Sequence, residues 1–259
     1  MSTVQAISSR DNPLLLRLRR LARHGTAYRQ EGVVWIEGEH LCSALLQHEG
    51  AAAQAVLSES AWEQPPLRAL AQSAPRVVRV PDALFDGLSA LGSAAGIGFV
   101  VNLPATVGVA PGLPSVVLDR VQDAGNVGSI LRSAATLGFT QVVALSGTAG
   151  LWSPKVLRAG MGAQFGLRLV EAVGDEALAG LAVPLLAADS HAALALHESP
   201  LPFPCAWVFG HEGQGVGAAV AARCAQTLRI PQPGGEESLN VAAAAAICLY
   251  ATRQAGGWP

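Results

Sequence analysis

Asn126 and Arg132 stand six positions apart in a stretch that follows the apolar run Val116 to Asp119. A guanidinium is a permanent cation whose planar fork suits a phosphate or a developing oxyanion. Glu212 stands in Gly210-His211-Glu212-Gly213-Gln214-Gly215, directly after the apolar run Cys205 to Phe209. Glycines allow unusual backbone angles, so peptide groups in such a loop can approach a ligand closely. Ser238 and Asn240 flank Leu239 ahead of Ala242 to Tyr250, which is apolar on nearly every side. A helix apolar all round is buried, so this pair is expected on a rigid support, as a preorganised site requires. Each residue also has a plain structural role. Asn126 and Ser238 are good helix N-caps, Arg132 fits an exposed helix face, and Glu212 fits a solvated loop.

The elements that hold these residues form two α/β units. In the first, Asn12-Pro13 starts a helix running to about His24, with Leu14, Leu15, Leu18 and Leu21 as its apolar stripe. Strands are expected near 32–36, 53–57, 76–80 and 98–101. Residues 102–114 are rich in Pro and Gly and without period, and 106–114 is read as a linker between domains 1–105 and 115–259. The second unit is expected to have strands near 116–119, 141–145, 183–188, 205–209 and 227–230. Its helices are expected near 126–137, 154–161, 216–223 and 239–254. Alternation of strands and helices implies a mainly parallel sheet covered on both faces.

A chain of 259 residues, 51% hydrophobic and 14% charged, supports a sizeable core and excludes the disordered class. No apolar run is long enough to span a bilayer, and no basic-then-apolar leader opens the chain. A cytoplasmic location is expected. Cys42, Cys205, Cys224 and Cys248 form no C-x-x-C pair and the six His are scattered, so neither a metal nor a disulfide framework is expected. The net charge of −2 argues against a whole-surface attraction for nucleic acid. Yet Arg10, Arg17, Arg19, Arg20, Arg23 and Arg29 cluster in the first thirty residues, opposed there only by Asp11. That local excess fits RNA phosphates.

Three patterns occur in order: Asn126-x-Gly128-x-Ile130-x-Arg132, Gly210-x-Glu212-Gly213-x-Gly215, and Ile230-Pro231 followed by Ser238-Leu239-Asn240. Together they resemble the three motifs of the SpoU/TrmH-type RNA 2′-O-methyltransferases of the SPOUT superfamily. Ser153 to Ala163 is also similar to the family, so the resemblance covers roughly residues 115–254. The opening segment, through Ser9, Asn12, Pro13, Leu21 and Ile36 to Leu41, resembles the RNA-binding domain of rRNA-directed members. Two departures stand out. Ala124 replaces a frequent Pro, and the third-motif loop carries Gln232-Pro233-Gly234-Gly235 before two glutamates.

The resemblance implies a small ribosomal-protein-like α/β domain followed by a parallel-sheet SPOUT domain with a trefoil knot, assembled as a homodimer. It implies methyl transfer from S-adenosylmethionine to a ribose 2′-hydroxyl, with 23S-type rRNA as the first choice of substrate and tRNA as the alternative. Arg132 would clamp the neighbouring phosphate and stabilise charge on the 2′-oxygen. Asn126, Glu212, Ser238 and Asn240 would organise substrate and arginine. Gly210, Ile230 and Leu239 would line the adenosine pocket, and Arg17, Arg20, Lys155 and Arg158 would meet RNA. Two other readings remain. Gly213 to Ala218 formally fits the G-x-G-x-x-A loop of a nicotinamide-dependent enzyme, but no acidic residue ends a following strand at the needed distance. A non-catalytic RNA-binding protein of the same fold is the second.

Overall fold

The computed structural model describes residues 2–48, 50–89, 95–234 and 239–257. The chain divides into two compact units. The first is Met1–Ala105 with Trp152–Phe165, and the second is Thr106–Leu151 with Gly166–Pro259.

The first unit runs β1 (Thr3–Ala6), α1 (Pro13–Arg23), α2 (Ala27–Glu31), β2 (Val33–Glu37), α3 (Glu39–Gln47), β3 (Gln54–Ser58), α4 (Glu59–Trp62), α5 (Pro65–Ala71), β4 (Arg76–Val80), α6 (Asp82–Asp86) and β5 (Ile97–Asn102). Its sheet has the order β1-β4-β3-β5-β2, with β5 antiparallel to both β2 and β3. Asn12 caps α1 by accepting from Leu14 N at 2.9 Å, and Pro13 fills the first turn, where a missing N–H costs nothing. Leu15, Leu18, Leu21 and Ala22 form the buried face of α1.

The second unit begins with β6 (Ser115–Asp119), α7 (Ala124–Thr136) and β7 (Gln141–Leu145). The chain then contributes α8 (Pro154–Gly160) to the first unit. It continues through β8 (Arg168–Val173), β9 (Leu185–Ala188), β10 (Leu194–Ala195), β11 (Ala206–Gly210), α9 (Ala218–Ala221), β12 (Gln226–Arg229) and α10 (Val241–Gly256). The sheet order is β10-β12-β9-β11-β6-β7-β8, and every pairing is parallel. Strands β6, β7 and β11 are buried along their whole length, as strands covered on both faces must be. The β6–β11 register sets Gly210 beside Asp119. The first and second motif loops therefore leave the sheet side by side, at carboxyl strand ends, where open parallel sheets bind ligands.

Residues 106–114, read from composition as a linker, are fastened to the second unit. The Gln141 amide accepts from Ala110 N at 2.7 Å and donates to Ala110 O at 3.1 Å. Arg168 donates to Gly108 O at 2.8 and 3.1 Å. The expectation that α10 is buried all round is corrected. Ala245, Cys248, Leu249 and Thr252 are buried, whereas Ile247 is 40% and Tyr250 51% exposed. Among the described residues α10 packs on α7, β9 and β11, and its opposite side is exposed at Ile247 and Tyr250.

Candidate active site

Asp123 caps α7, its carboxylate accepting from Asn126 N at 2.8 Å. This corrects the sequence reading of Asn126 as the cap. The Asn126 side chain is thereby released for other work. Its Nδ2 donates to Glu212 Oε1 at 3.1 Å, and its Oδ1 accepts from Asn240 Nδ2 at 2.9 Å. Asn240, not Ser238, is the N-cap of α10, accepting from Ala242 N at 2.9 Å and Ala243 N at 3.3 Å. Ser238 lies outside the described residues.

Glu212 also takes the backbone N–H groups of Gln122 at 3.2 Å and Asp123 at 3.1 Å. Burial pushes its carboxyl up, but the Asn126 amide and these backbone donors outweigh that and hold it below the usual carboxylate range. It is thus an ionised acceptor at neutral pH, spanning the first and second motif loops.

A cleft of about 1050 Å³ opens beside this chain of bonds. Gly210, Glu212, Ile230, Leu239 and Asn240 all line it, with Phe209 and Val216 adding apolar wall. Gly210 has no room for a side chain. A β-carbon there would sit 2.1 Å from the Gly215 carbonyl carbon. Arg132 is not among the lining residues. It is exposed on α7. Burial pushes the Cys205 and Cys248 thiols up to about 12 and Cys224 to about 11, so none of these three supplies a thiolate nucleophile at neutral pH.

Sequence reasoning missed two groups. Asp189, Ser190 and His191 line the cleft just beyond β9. Their signal was an Asp-Ser-His run at the end of a parallel strand, the place where ligands bind. Asp119 and Arg120 also went unread. Asp119 is buried, and its carboxylate accepts from Arg120 Nε at 2.9 Å and Gly217 N at 2.6 Å. Burial pushes its carboxyl up, but the Arg120 fork, the Gly217 N–H and nearby positive charge bring the net shift down.

The residues expected to meet RNA lie in the first unit. Arg17 Nε donates to Glu31 Oε2 at 2.8 Å and Arg20 Nη1 to Glu31 Oε1 at 3.1 Å. The arginine cluster is therefore partly neutralised by an acid that the count over the first thirty residues left out. Lys155 is exposed, and Arg158 is half-buried beside Trp35 and Glu37.

Residues 114–250 match the SpoU rRNA Methylase family. The chain is 31% identical to an uncharacterised tRNA/rRNA methyltransferase of Synechocystis, over 98% of this chain and 95% of that protein. It is 30% identical to the Bacillus subtilis 23S rRNA (guanosine(2553)-2′-O)-methyltransferase RlmP, over 84% of this chain and 87% of that one. The crystal structure of an RNA 2′-O ribose methyltransferase is similar, with a TM-score of 0.80 at 28% identity over 97% of this chain and 99% of that one.

Proposed function

Because the chain belongs to the SpoU rRNA methylase family, we propose that it transfers a methyl group from S-adenosylmethionine to a ribose 2′-hydroxyl of rRNA. The observation that carries this reading is the chain of hydrogen bonds Glu212–Asn126–Asn240. It joins all three motifs, and its two ends, Glu212 and Asn240, line one cleft.

The cleft suits the cofactor. Its volume, about 1050 Å³, is just above the roughly 300–1,000 Å³ range of small-molecule sites, so it has room for the whole cofactor. Ile230, Leu239 and Val216 offer apolar wall for an adenine, and Glu212 and Asn240 offer polar groups to orient the rest. The bound cofactor supplies the electrophilic methyl group. The protein aligns the reactants, which lowers the barrier by removing the entropy of encounter. A guanidinium is a permanent cation with donors and no acceptor, so Arg132 acts as a clamp on phosphate and on the developing 2′-oxygen charge, not as a base.

Arg132 lies outside its own chain's cleft. We infer a homodimer in which it serves the cleft of a second copy. The exposed side of α10, with Ala243, Ile247 and Tyr250 at helical spacing, supports that assembly, since a two-fold contact would cover it. We also infer that the C-terminal segment is threaded as a knot. In support, α10 crosses back from β12 at one side of the sheet to α7. An rRNA substrate favours a cytoplasmic enzyme.

The test is transfer of labelled methyl from S-adenosylmethionine to 23S rRNA, followed by alkaline hydrolysis. Alkali-resistant labelled dinucleotides are expected, because a 2′-O-methyl group blocks cleavage. Label confined to bases, or found only in tRNA, would overturn the reading.

A further inference from the structure

Arg120 adopts φ 60°, a backbone conformation that non-glycine residues seldom hold without compensation. It sits where β6 gives way to the first motif loop. Its N–H donates to Thr148 Oγ1 at 3.1 Å, and that hydroxyl donates to Leu118 O at 2.9 Å. The turn is thus held from below.

The guanidinium then reaches across to the second motif loop. Its Nε and Nη2 donate to the two Asp119 oxygens at 2.9 and 3.1 Å. Its Nη1 donates to Gln214 Oε1 at 2.9 Å. Asp119 Oδ2 also accepts from Gly217 N at 2.6 Å. The acid therefore grips the far end of the loop while the base grips its tip. Gly217 leaves the room this needs, since a β-carbon there would be 3.1 Å from Arg120 Nη2.

The loop is tied within itself as well. His211 and Gly215 exchange backbone bonds at 3.0 and 2.8 Å, and His211 Nδ1 accepts from Gly213 N at 2.9 Å. Glu212 ties the loop to Gln122, Asp123 and Asn126, and the Asp119–Arg120 pair ties its tip and far end to the end of β6. The same loop, Gly210 to Val216, forms a wall of the cleft, which Arg120 itself does not line.

We propose that Arg120 is a positioning residue, a latch that fixes the glycine-rich wall through Asp119 and Gln214 and so sets how tightly and how long the cofactor is held. This rests on the cofactor reading given above. Arg120 touches no reacting atom, so loosening the latch weakens cofactor binding more than it slows the chemical step. Lys keeps the charge but lacks the fork that spans Asp119 and Gln214.

The test uses the full chain with Arg120→Gly, Arg120→Lys, Gln214→Ala and Arg120→Gly/Gln214→Ala. Gly accepts the left-handed conformation, so that variant keeps its turn. Calorimetry with S-adenosylmethionine is expected to show Kd raised about tenfold in each Arg120 variant, the loss of one or two charge-assisted bonds. The Gln214→Ala change is expected to add little in the Arg120→Gly background, because both cut one connection. KM for the cofactor should rise more than kcat falls. Amide exchange across 211–217 should quicken in every Arg120 variant. Unchanged Kd with unchanged exchange, or fully additive effects of the two substitutions, would overturn the latch. So would a loss confined to RNA affinity, which would make Arg120 a phosphate contact. If the wild type binds no S-adenosylmethionine, the cofactor reading fails, and the exchange data still decide whether Arg120 anchors the loop.

Discussion

Asn240 and Asn126, 114 positions apart in sequence, share one hydrogen bond at 2.9 Å, with Asn240 Nδ2 as donor and Asn126 Oδ1 as acceptor. Each amide uses both ends. Asn240 Oδ1 caps α10, which turns its Nδ2 toward Asn126. Asn126 Oδ1 is thereby committed as acceptor, which aims its own Nδ2 at Glu212. The orientation of every group in the chain follows from the next, and the carboxylate at its end can only accept.

Asn240→Asp separates the cap from the link. The carboxylate still accepts from Ala242 N, and negative charge at a helix N-terminus is favourable. It can no longer donate to Asn126. Stability in urea is expected to stay within about 1 kcal/mol of wild type, while kcat/KM falls roughly 10–100-fold, the scale of a lost bond that leaves its partner unpaired. Wild-type turnover in this variant would remove the link from the mechanism.

Asp119 should shape the acid limb of stability. Its folded carboxyl titrates below the ordinary value, and a depressed carboxylate stabilises the fold above its unfolded pKa of about 3.9. That contribution is lost as pH falls through the folded value. Urea midpoints of the wild type are expected to hold from pH 7 to about 5 and to drop below about 4. Asp119→Asn should start lower at pH 7 and fall less steeply. Parallel profiles for the two proteins would deny Asp119 this role.

The sequence exposed what has a repeating pattern or a capping residue. Asn12-Pro13 marked α1, and the apolar runs of β6, β7 and β11 marked the sheet centre. The elements that escaped lack both signals. Strand β1 is exposed at all four positions, β10 has two residues, and β8 has one buried residue and a register shift opposite Ala144 and Leu145. In the site, Glu212, Asn126 and Asn240 were legible because their spacing resembles known motifs. Arg120 was not. Its significance lies in a positive φ and in a partner, Gln214, 94 positions away, and neither leaves a local trace. The wrong cap at Asn126 has a similar origin, since Asp123 and Asn126 are both good caps and only the backbone angles choose between them.

Lys155 is exposed on α8 and its partner in the expected RNA surface, Arg158, is half-buried. Lys155→Ala is therefore expected to weaken RNA binding across all sequences and to reduce the slope of log K against log salt by about 1, as removal of one phosphate contact does. Arg17→Ala should change that slope less, because Arg17 already pairs with Glu31. Filter binding between 50 and 200 mM salt measures both, and a larger change for Arg17 would relocate the contact surface.

Mixing two inactive proteins tests the dimer and the place of Arg132 together. Arg132→Ala is expected to keep S-adenosylmethionine binding and to lose turnover by roughly 100–1,000-fold, the scale of removing a group that stabilises transition-state charge. Asn240→Ala loses both its cap and its bond to Asn126. Suppose Arg132 serves the opposite cleft. A hybrid dimer then has one site with both defects and one site with neither. Random exchange makes half the dimers hybrid, each with one working site of two, so about a quarter of wild-type activity returns. If Arg132 works in its own chain, every site carries one defect and nothing returns. Ile247→Glu, placed on the exposed face of α10, is the control. It should give a monomer mass by light scattering and abolish the recovery. Full activity from that monomer would show that one chain suffices.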